Sequence, residues 1–171
     1  MDDKHLEFAF EYGLSGGYSL RLVKTQSRLD FLPQLTMVYL RGTNQSLNLL
    51  NHVQYQFMHG EIFLIFNREA LVGIVCFDNI GVRDGAQLHG GFWGDTTNAI
   101  RKEAGKMACD LMLDLQDPRI IRIDAFTLPS REDVVKYLDS ISFQYIGMVP
   151  NASFGDDAEF VSHQYWVYIG E

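Results

Sequence analysis

The sequence predicts an α/β protein: a single domain, residues 1–171, on a mixed twisted sheet of about six or seven strands with flanking helices. Three observations carry this. From Glu61 the patterning reads strand, strand, strand, helix, strand, helix, strand, strand, an order that places helices on the faces of a mixed sheet. Ile100, Ala104, Met107, Ala108, Leu111, Met112 and Leu115 keep spacings of three and four, the signature of an amphipathic helix. The 171 residues are 47% hydrophobic and 21% charged, enough apolar chain to bury one ordinary core and too much for disorder.

Leu6, Phe8, Phe10 and Tyr12 alternate with Glu7, Ala9 and Glu11, so residues 1–17 form an N-terminal extension or an extra strand, a short helix being the other reading. Gly13 to Gly17 breaks the chain, and Tyr18 to Val23 reads as the next strand. A helix starts at Ser27 or Asp30 and runs through Leu35 and Tyr39, interrupted at Pro33. Leu49, Leu50, Val53 and Phe57 share one face of a second helix. Glu61–Phe66 and Leu71–Phe77 are strands around a tight turn at Asn67–Glu69, followed by a loop over 78–84 and a strand at Gln87–Trp93. Asp117-Pro118 ends the long helix, because the residue before proline avoids helical geometry. Arg119–Leu128 is an Ile-rich strand, joined in parallel to Gln87–Trp93 through the helix. Ser130 with Asp133 predicts a variant capping box for a short helix buried by Val134, Val135, Leu138 and Ile141. Phe143–Val149 and His163–Ile169 are the last strands, around a polar loop at Gly155–Glu159 that could attract an amine.

The formal charge of −8 and the scatter of Lys and Arg argue against nucleic acid and anionic membranes, whose binding needs a basic face. They suit an amine or another cationic partner. No run of about 18 apolar residues exists, so no membrane-spanning helix is expected, and the acidic start Met1-Asp2-Asp3-Lys4 lacks a secretory signal. A cytoplasmic location follows. Cys76 and Cys109 sit in apolar stretches outside any CxxC pair and read as buried free thiols. His5, His52, His59 and His163 lack metal-ligand spacing, and no metal is expected.

Leu71-Val72-Gly73-Ile74-Val75, then Gly90-Gly91, then Arg131–Phe143 running into Gln144-Tyr145-Ile146-Gly147 resemble the GNAT (GCN5-related N-acetyltransferase) family over roughly Tyr18–Ile169. The resemblance implies a central twisted sheet in which a bulge at Gly90-Gly91 splays two parallel strands. It also implies an acetyl-CoA whose pantetheine arm pairs with the freed backbone, and whose pyrophosphate sits on the N-terminus of the next helix. The family's phosphate loop overlays Thr96-Thr97-Asn98-Ala99-Ile100-Arg101, which lacks its glycines and its leading Arg or Gln. The family's frequent Asn and Tyr of the late helix overlay Arg131 and Leu138, with Tyr137 adjacent and turned about 100° away.

Two functional readings follow. In the first, the chain is an acyl-CoA-dependent N-acyltransferase. His89, in the string His89-Gly90-Gly91-Phe92-Trp93-Gly94, or Glu61 takes the amine proton, and a backbone N–H near Phe92 or Trp93 polarises the thioester. The cofactor lies along Phe92, Trp93, Thr96, Thr97, Asn98 and Ala99. Arg101 and Lys102, which oppose the helix dipole at its N-terminus, meet a phosphate. In the second, the fold is a non-catalytic assembly or interaction module. The strings Thr43-Asn44-Gln45-Ser46 and Leu88-His89-Gly90-Gly91 belong to a texture that resembles proteins assisting head assembly in short-tailed phages. That resemblance implies virion-assembly proteins as partners and a host cytoplasmic location; the Phe and Tyr content at both termini packs sheet edges or an oligomer contact.

Overall fold

The computed structural model describes residues 5–82, 84–115, 120–154 and 160–170. Among these residues eight strands form one sheet: β1 (Phe8–Gly13), β2 (Tyr18–Val23), β3 (Glu61–Asn67), β4 (Ala70–Val82), β5 (Gly85–Phe92), β6 (Arg122–Thr127), β7 (Gln144–Phe154) and β8 (Phe160–Tyr168). Their order is β1-β2-β3-β4-β5-β6-β8-β7. The sheet exceeds the expected six or seven strands because Phe8–Gly13 pairs with β2 as an edge strand. Every neighbouring pair is antiparallel except β5 and β6, which are parallel as the crossover pattern requires.

Ile62 to Ile65 and Val72 to Phe77 are largely continuous apolar runs because both faces of β3 and β4 are covered. One face packs Val23, Ile62, Leu64, Ile74 and Cys76 under the helices α1 (Thr25–Asp30), α2 (Leu32–Gly42) and α3 (Leu50–His59). The other packs Leu20, Phe63, Ile65, Val75, Phe77 and Ile123 under α4 (Asn98–Leu115) and α5 (Glu132–Ser140). Ala104, Ala108 and Met112 of α4 are buried there, as their spacing predicts.

Four local expectations change. The helix expected from Ser27 or Asp30 is two helices, broken at Phe31, with Pro33 in the first turn of α2, where its missing N–H is harmless. The loop expected over 78–84 is instead the end of β4, which runs on to Val82 through an irregularity between Asp78 and Val82. Asn79 and Gly81 adopt positive φ inside it (51° and 79°). The N-cap of α5 is Arg131 rather than Ser130, and no side chain caps it; the Arg131 guanidinium instead pairs with the Asp133 carboxylate at 2.9 Å. The bulge expected at Gly90-Gly91 is absent, because β5 keeps unbroken register with β4 from Asp78↔Gln87 to Gly73↔Phe92. Among the described residues no helix is long and apolar enough to cross a membrane. Asp117-Pro118, the start of the strand expected from Arg119, and Gly155–Glu159 lie outside the described residues.

Candidate active site at the fork between β5 and β6

The parallel pairing of β5 with β6 covers three residues: Gly85↔Arg122, Ala86↔Ile123 and Gln87↔Asp124. Beyond it the strands separate. Among the described residues, Leu88 to Phe92 pair with β4 alone, and Ala125 to Thr127 with β8 alone. The strands therefore fork without a bulge. The peptide groups that face the fork follow from the ladder. The Trp93 N–H donates to the Val72 carbonyl at 2.8 Å, which makes 72 and 93 a hydrogen-bonded pair. Such pairs alternate along an antiparallel ladder, so the N–H and C=O groups of Gly90 and Phe92 turn away from β4, toward the fork.

The glycines at the fork serve close approach. A Cβ on Gly91 would overlap the Thr43 side chain just past α2, and a Cβ on Gly42 would overlap the Trp93 indole. Trp93 is further fixed by its Nε1–H, which donates to the Leu71 carbonyl at 2.9 Å. Thus the indole and the main-chain N–H of Trp93 are both engaged, and Phe92 is the residue of this pair whose N–H faces the fork.

α4 begins five residues after Trp93. Thr97 caps it, its hydroxyl accepting the Ile100 N–H at 3.3 Å. Among the described residues the N–H groups of Asn98 and Ala99 find no acceptor, as expected of a first helical turn. Arg101 folds back so that its Nε donates to the Thr96 hydroxyl at 3.0 Å. Lys102 is exposed. Thr96 is buried at 7% exposure and its hydroxyl donates to the Trp93 carbonyl at 3.4 Å, so it holds the loop while Asn98 and Ala99 remain on the surface.

On the sheet face under α2 and α3, His89 makes a network that the sequence did not reveal. Its Nε2 lies 2.9 Å from Asp78 Oδ1, and the Gln56 amide nitrogen of α3 lies 3.3 Å from Nδ1 and 3.1 Å from Nε2. His89 stands opposite Cys76, so Asp78 is its diagonal neighbour on the same face. Alternation along β4 and β5 could have found that pair had the strand been extended past Phe77. Glu61 lies elsewhere, at the start of β3. It pairs with the buried Arg28 at 3.1 Å and lines a depression of about 380 Å³ with Ala9, Phe10, Leu22, Val23, Lys24 and Thr25. Burial pushes its carboxyl above the usual range, against the pull of Arg28. The structure thus brings His89, Gly90 and Phe92 together at the fork and leaves Glu61 beside a different depression.

On the opposite face, Leu138 is buried in the core, whereas Tyr137 points back toward the fork. Its ring meets Phe92 edge to face at 5.8 Å, and its hydroxyl donates to the Arg101 carbonyl at 3.3 Å. Burial raises the phenol, so Tyr137 stays a neutral donor. Among the described residues no group of His, Cys, Asp and Glu could hold a metal ion.

No protein-family model matches the sequence, and no curated protein is significantly similar to it. Solved structures are similar throughout their length. A ribosomal-protein-S5-alanine acetyltransferase from Vibrio fischeri is 16% identical, covers 95% of this chain and 97% of its own, and has a TM-score of 0.68. An acetyltransferase from Salmonella typhimurium that modifies the N-terminal serine of ribosomal protein L7/L12 is 14% identical, with 92% and 97% coverage and a TM-score of 0.70. A ribosomal L7/L12 α-N-protein acetyltransferase in complex with coenzyme A is 14% identical, with 94% and 98% coverage and a TM-score of 0.69. An eight-stranded mixed sheet that forks at its one parallel pair, in a chain that overlays these enzymes almost end to end, has the fold of the GNAT acetyltransferases.

Proposed function

We propose that the protein is an acyl-CoA-dependent N-acyltransferase acting on a primary amine. The fork carries this reading: two unpaired peptide groups, at Gly90 and Phe92, followed at once by a helix whose first N–H groups lack acceptors. These donors fit acetyl-CoA, whose pantetheine amides need strand-like partners and whose phosphates favour a helix N-terminus. Bound acetyl-CoA supplies an acyl group activated as a thioester. The Phe92 N–H donates to the carbonyl oxygen of that group, and Trp93 holds the end of β5 in place. Asn98 and Ala99 donate N–H groups to phosphate, Thr96 and Thr97 shape the turn, and Arg101 and Lys102 balance the anionic charge. His89 accepts the proton that the attacking amine sheds, its ring keeping 21% of its side-chain surface open. Glu61, held by Arg28, is assigned to the fold rather than to proton transfer.

The net charge of −8 favours a cationic acceptor. Neighbouring structures include enzymes named for an S5 alanine, the N-terminal serine of L7/L12 and spermidine, so Ala- and Ser-initiated peptides and spermidine are the natural probes. The test has two parts. Thermal unfolding is followed with and without acetyl-CoA, which at a hundredfold its Kd stabilises the native state by about 2.7 kcal/mol. Release of free CoA thiol is then followed with each amine. Binding with amine-dependent thiol release supports the reading. No stabilisation at millimolar acetyl-CoA overturns it in favour of the non-catalytic module. One observation favours that second reading: Thr97 already takes the Ile100 N–H, in a loop that carries side chains where the family's glycines would stand.

A further inference from the structure

We infer that Asp78 and Gln56 are positioning residues that set His89 as a proton acceptor on the acceptor side of the fork; the inference rests on the acyltransferase reading. Asp78 is 5% exposed and Gln56 6%, yet both place polar atoms on one imidazole. A buried carboxylate beside a ring nitrogen fixes which nitrogen carries the proton. With Asp78 Oδ1 at 2.9 Å, Nε2–H donates to the carboxylate and Nδ1 keeps the lone pair.

The irregularity after Asp78 gives this arrangement a structural reason. Asn79 and Gly81 turn with positive φ, and the Asn79 side chain reaches back to the Gln87 carboxamide oxygen at 3.1 Å and to Asp78 Oδ1 at 3.4 Å. The carboxylate is therefore held at the root of the fork, level with the last parallel pair, Gln87↔Asp124. Gln56 completes the device. Its amide nitrogen lies 3.3 Å from Nδ1 and 3.1 Å from Nε2, so it stands against the ring face and holds the plane of the imidazole, leaving the in-plane lone pair of Nδ1 to the acceptor. One N–H bond of the acceptor ammonium breaks, its electron pair stays on nitrogen as the lone pair that attacks the thioester carbonyl, and the proton resides on Nδ1 against a charge-balancing Asp78.

Other groups near the ring are few. From β4, Cys76 lies opposite, and burial pushes its thiol up so that it stays uncharged. Arg28 and Glu61 pair with each other at 3.1 Å. Across the fork Asp124 is matched by Arg122 Nε at 3.0 Å and the Tyr165 hydroxyl at 2.8 Å. Among the described residues, Asp78 is the charged group paired with His89.

The test uses the full chain labelled with 15N-histidine. In the wild type the His89 ring, assigned by comparison with His89→Gln, should show the Nε2–H tautomer. Asp78→Asn should shift it toward Nδ1–H and lower amine-dependent CoA release about tenfold or more, with KM for acetyl-CoA within about twofold. The pH dependence of the rate, recorded for both proteins, should differ, because the imidazole loses the partner that sets its tautomer. If Asp78→Asn fails to fold, Asp78→Ala with added formate is read instead, and formate should restore the rate. An unchanged tautomer and profile in an active, folded Asp78→Asn overturns the positioning role alone. A wild type that binds no acetyl-CoA overturns the acyltransferase reading, and the role with it.

Discussion

Tyr137 of α5 lies across Gly105 of α4 so closely that a Cβ on Gly105 would overlap the phenol hydroxyl. The contact fixes the distance between the two helices on one face of the sheet and sets the Tyr137 ring on Phe92, at the tip of β5. Gly105→Ala should therefore destabilise the fold. Alanine gains about 1 kcal/mol of helix propensity, but overpacking costs about 1–3 kcal/mol, and Tyr137 must move. Urea unfolding should show a net loss of up to about 2 kcal/mol, relieved in part by adding Tyr137→Phe. A stabilised Gly105→Ala would show that the helices are free to separate. Since the Tyr137 hydroxyl donates to the Arg101 carbonyl, Tyr137→Phe alone should change CoA release by less than about threefold.

Arg101 and Lys102 place positive charge where the helix dipole is already positive, which disfavours the first turn of α4 by a few tenths to about 1 kcal/mol each. Asp133 and Glu132 at the start of α5 show the favourable arrangement in the same chain. Changing both basic residues of α4 to Glu should thus leave the fold intact or stabilise it slightly while weakening acetyl-CoA binding tenfold or more. Titration calorimetry in low and high salt checks this: the wild-type affinity should fall with salt and that of the variant should not. Equal affinities for the two proteins would remove these residues from the phosphate site.

The elements were legible because most carry one clear period. The stripe from Ile100 to Leu115 and the apolar runs of β3 and β4 locate themselves. The end of β4 was hidden because Asp78, Asn79 and Gly81 read as turn residues, and with that end went the Asp78–His89 pair, which depends on register. The glycines at 90 and 91 marked the fork, but for a different reason than expected. Gly91 admits Thr43, whereas the separation of β5 from β6 follows from where their pairing stops. The rotation from Leu138 to Tyr137 turns the phenol out of the core, but the sequence does not show that Gly105 leaves room for it against α4, where it reaches Phe92.

Cys76 and Cys109 are fully buried, and burial raises both thiols well above their ordinary range, so almost no thiolate forms near neutral pH. Native protein should react with an aromatic disulfide reagent only as fast as it opens, and both thiols should react at once in denaturant. Fast labelling of one thiol in native protein would show that its helix or strand opens locally. Cys109→Ser should cost about 1–3 kcal/mol, since it puts a hydroxyl into a fully buried apolar contact.

Glu61 gives the stability a pH dependence whose sign separates burial from ion pairing. Its carboxyl is half-buried beside Arg28, which donates from Nη1 to Glu61 at 3.1 Å and also to the Gly60 carbonyl. Burial is the larger influence and raises the carboxyl above the ordinary range; the Arg28 charge opposes it. In the unfolded chain the group has its ordinary value, so the folded state holds the proton more tightly. The stability this contributes is full below the ordinary carboxylate range and is lost as pH rises through the raised value. Glu61→Gln carries no titrating proton there. The stability of the wild type minus that of Glu61→Gln should therefore fall as pH rises across the weakly acidic range, in urea titrations at matched ionic strength. A difference that grows with pH would mean that the guanidinium outweighs burial at this site. At neutral pH the variant should still be less stable by about 1–3 kcal/mol, because Arg28 is 5% exposed and would lose its charged partner.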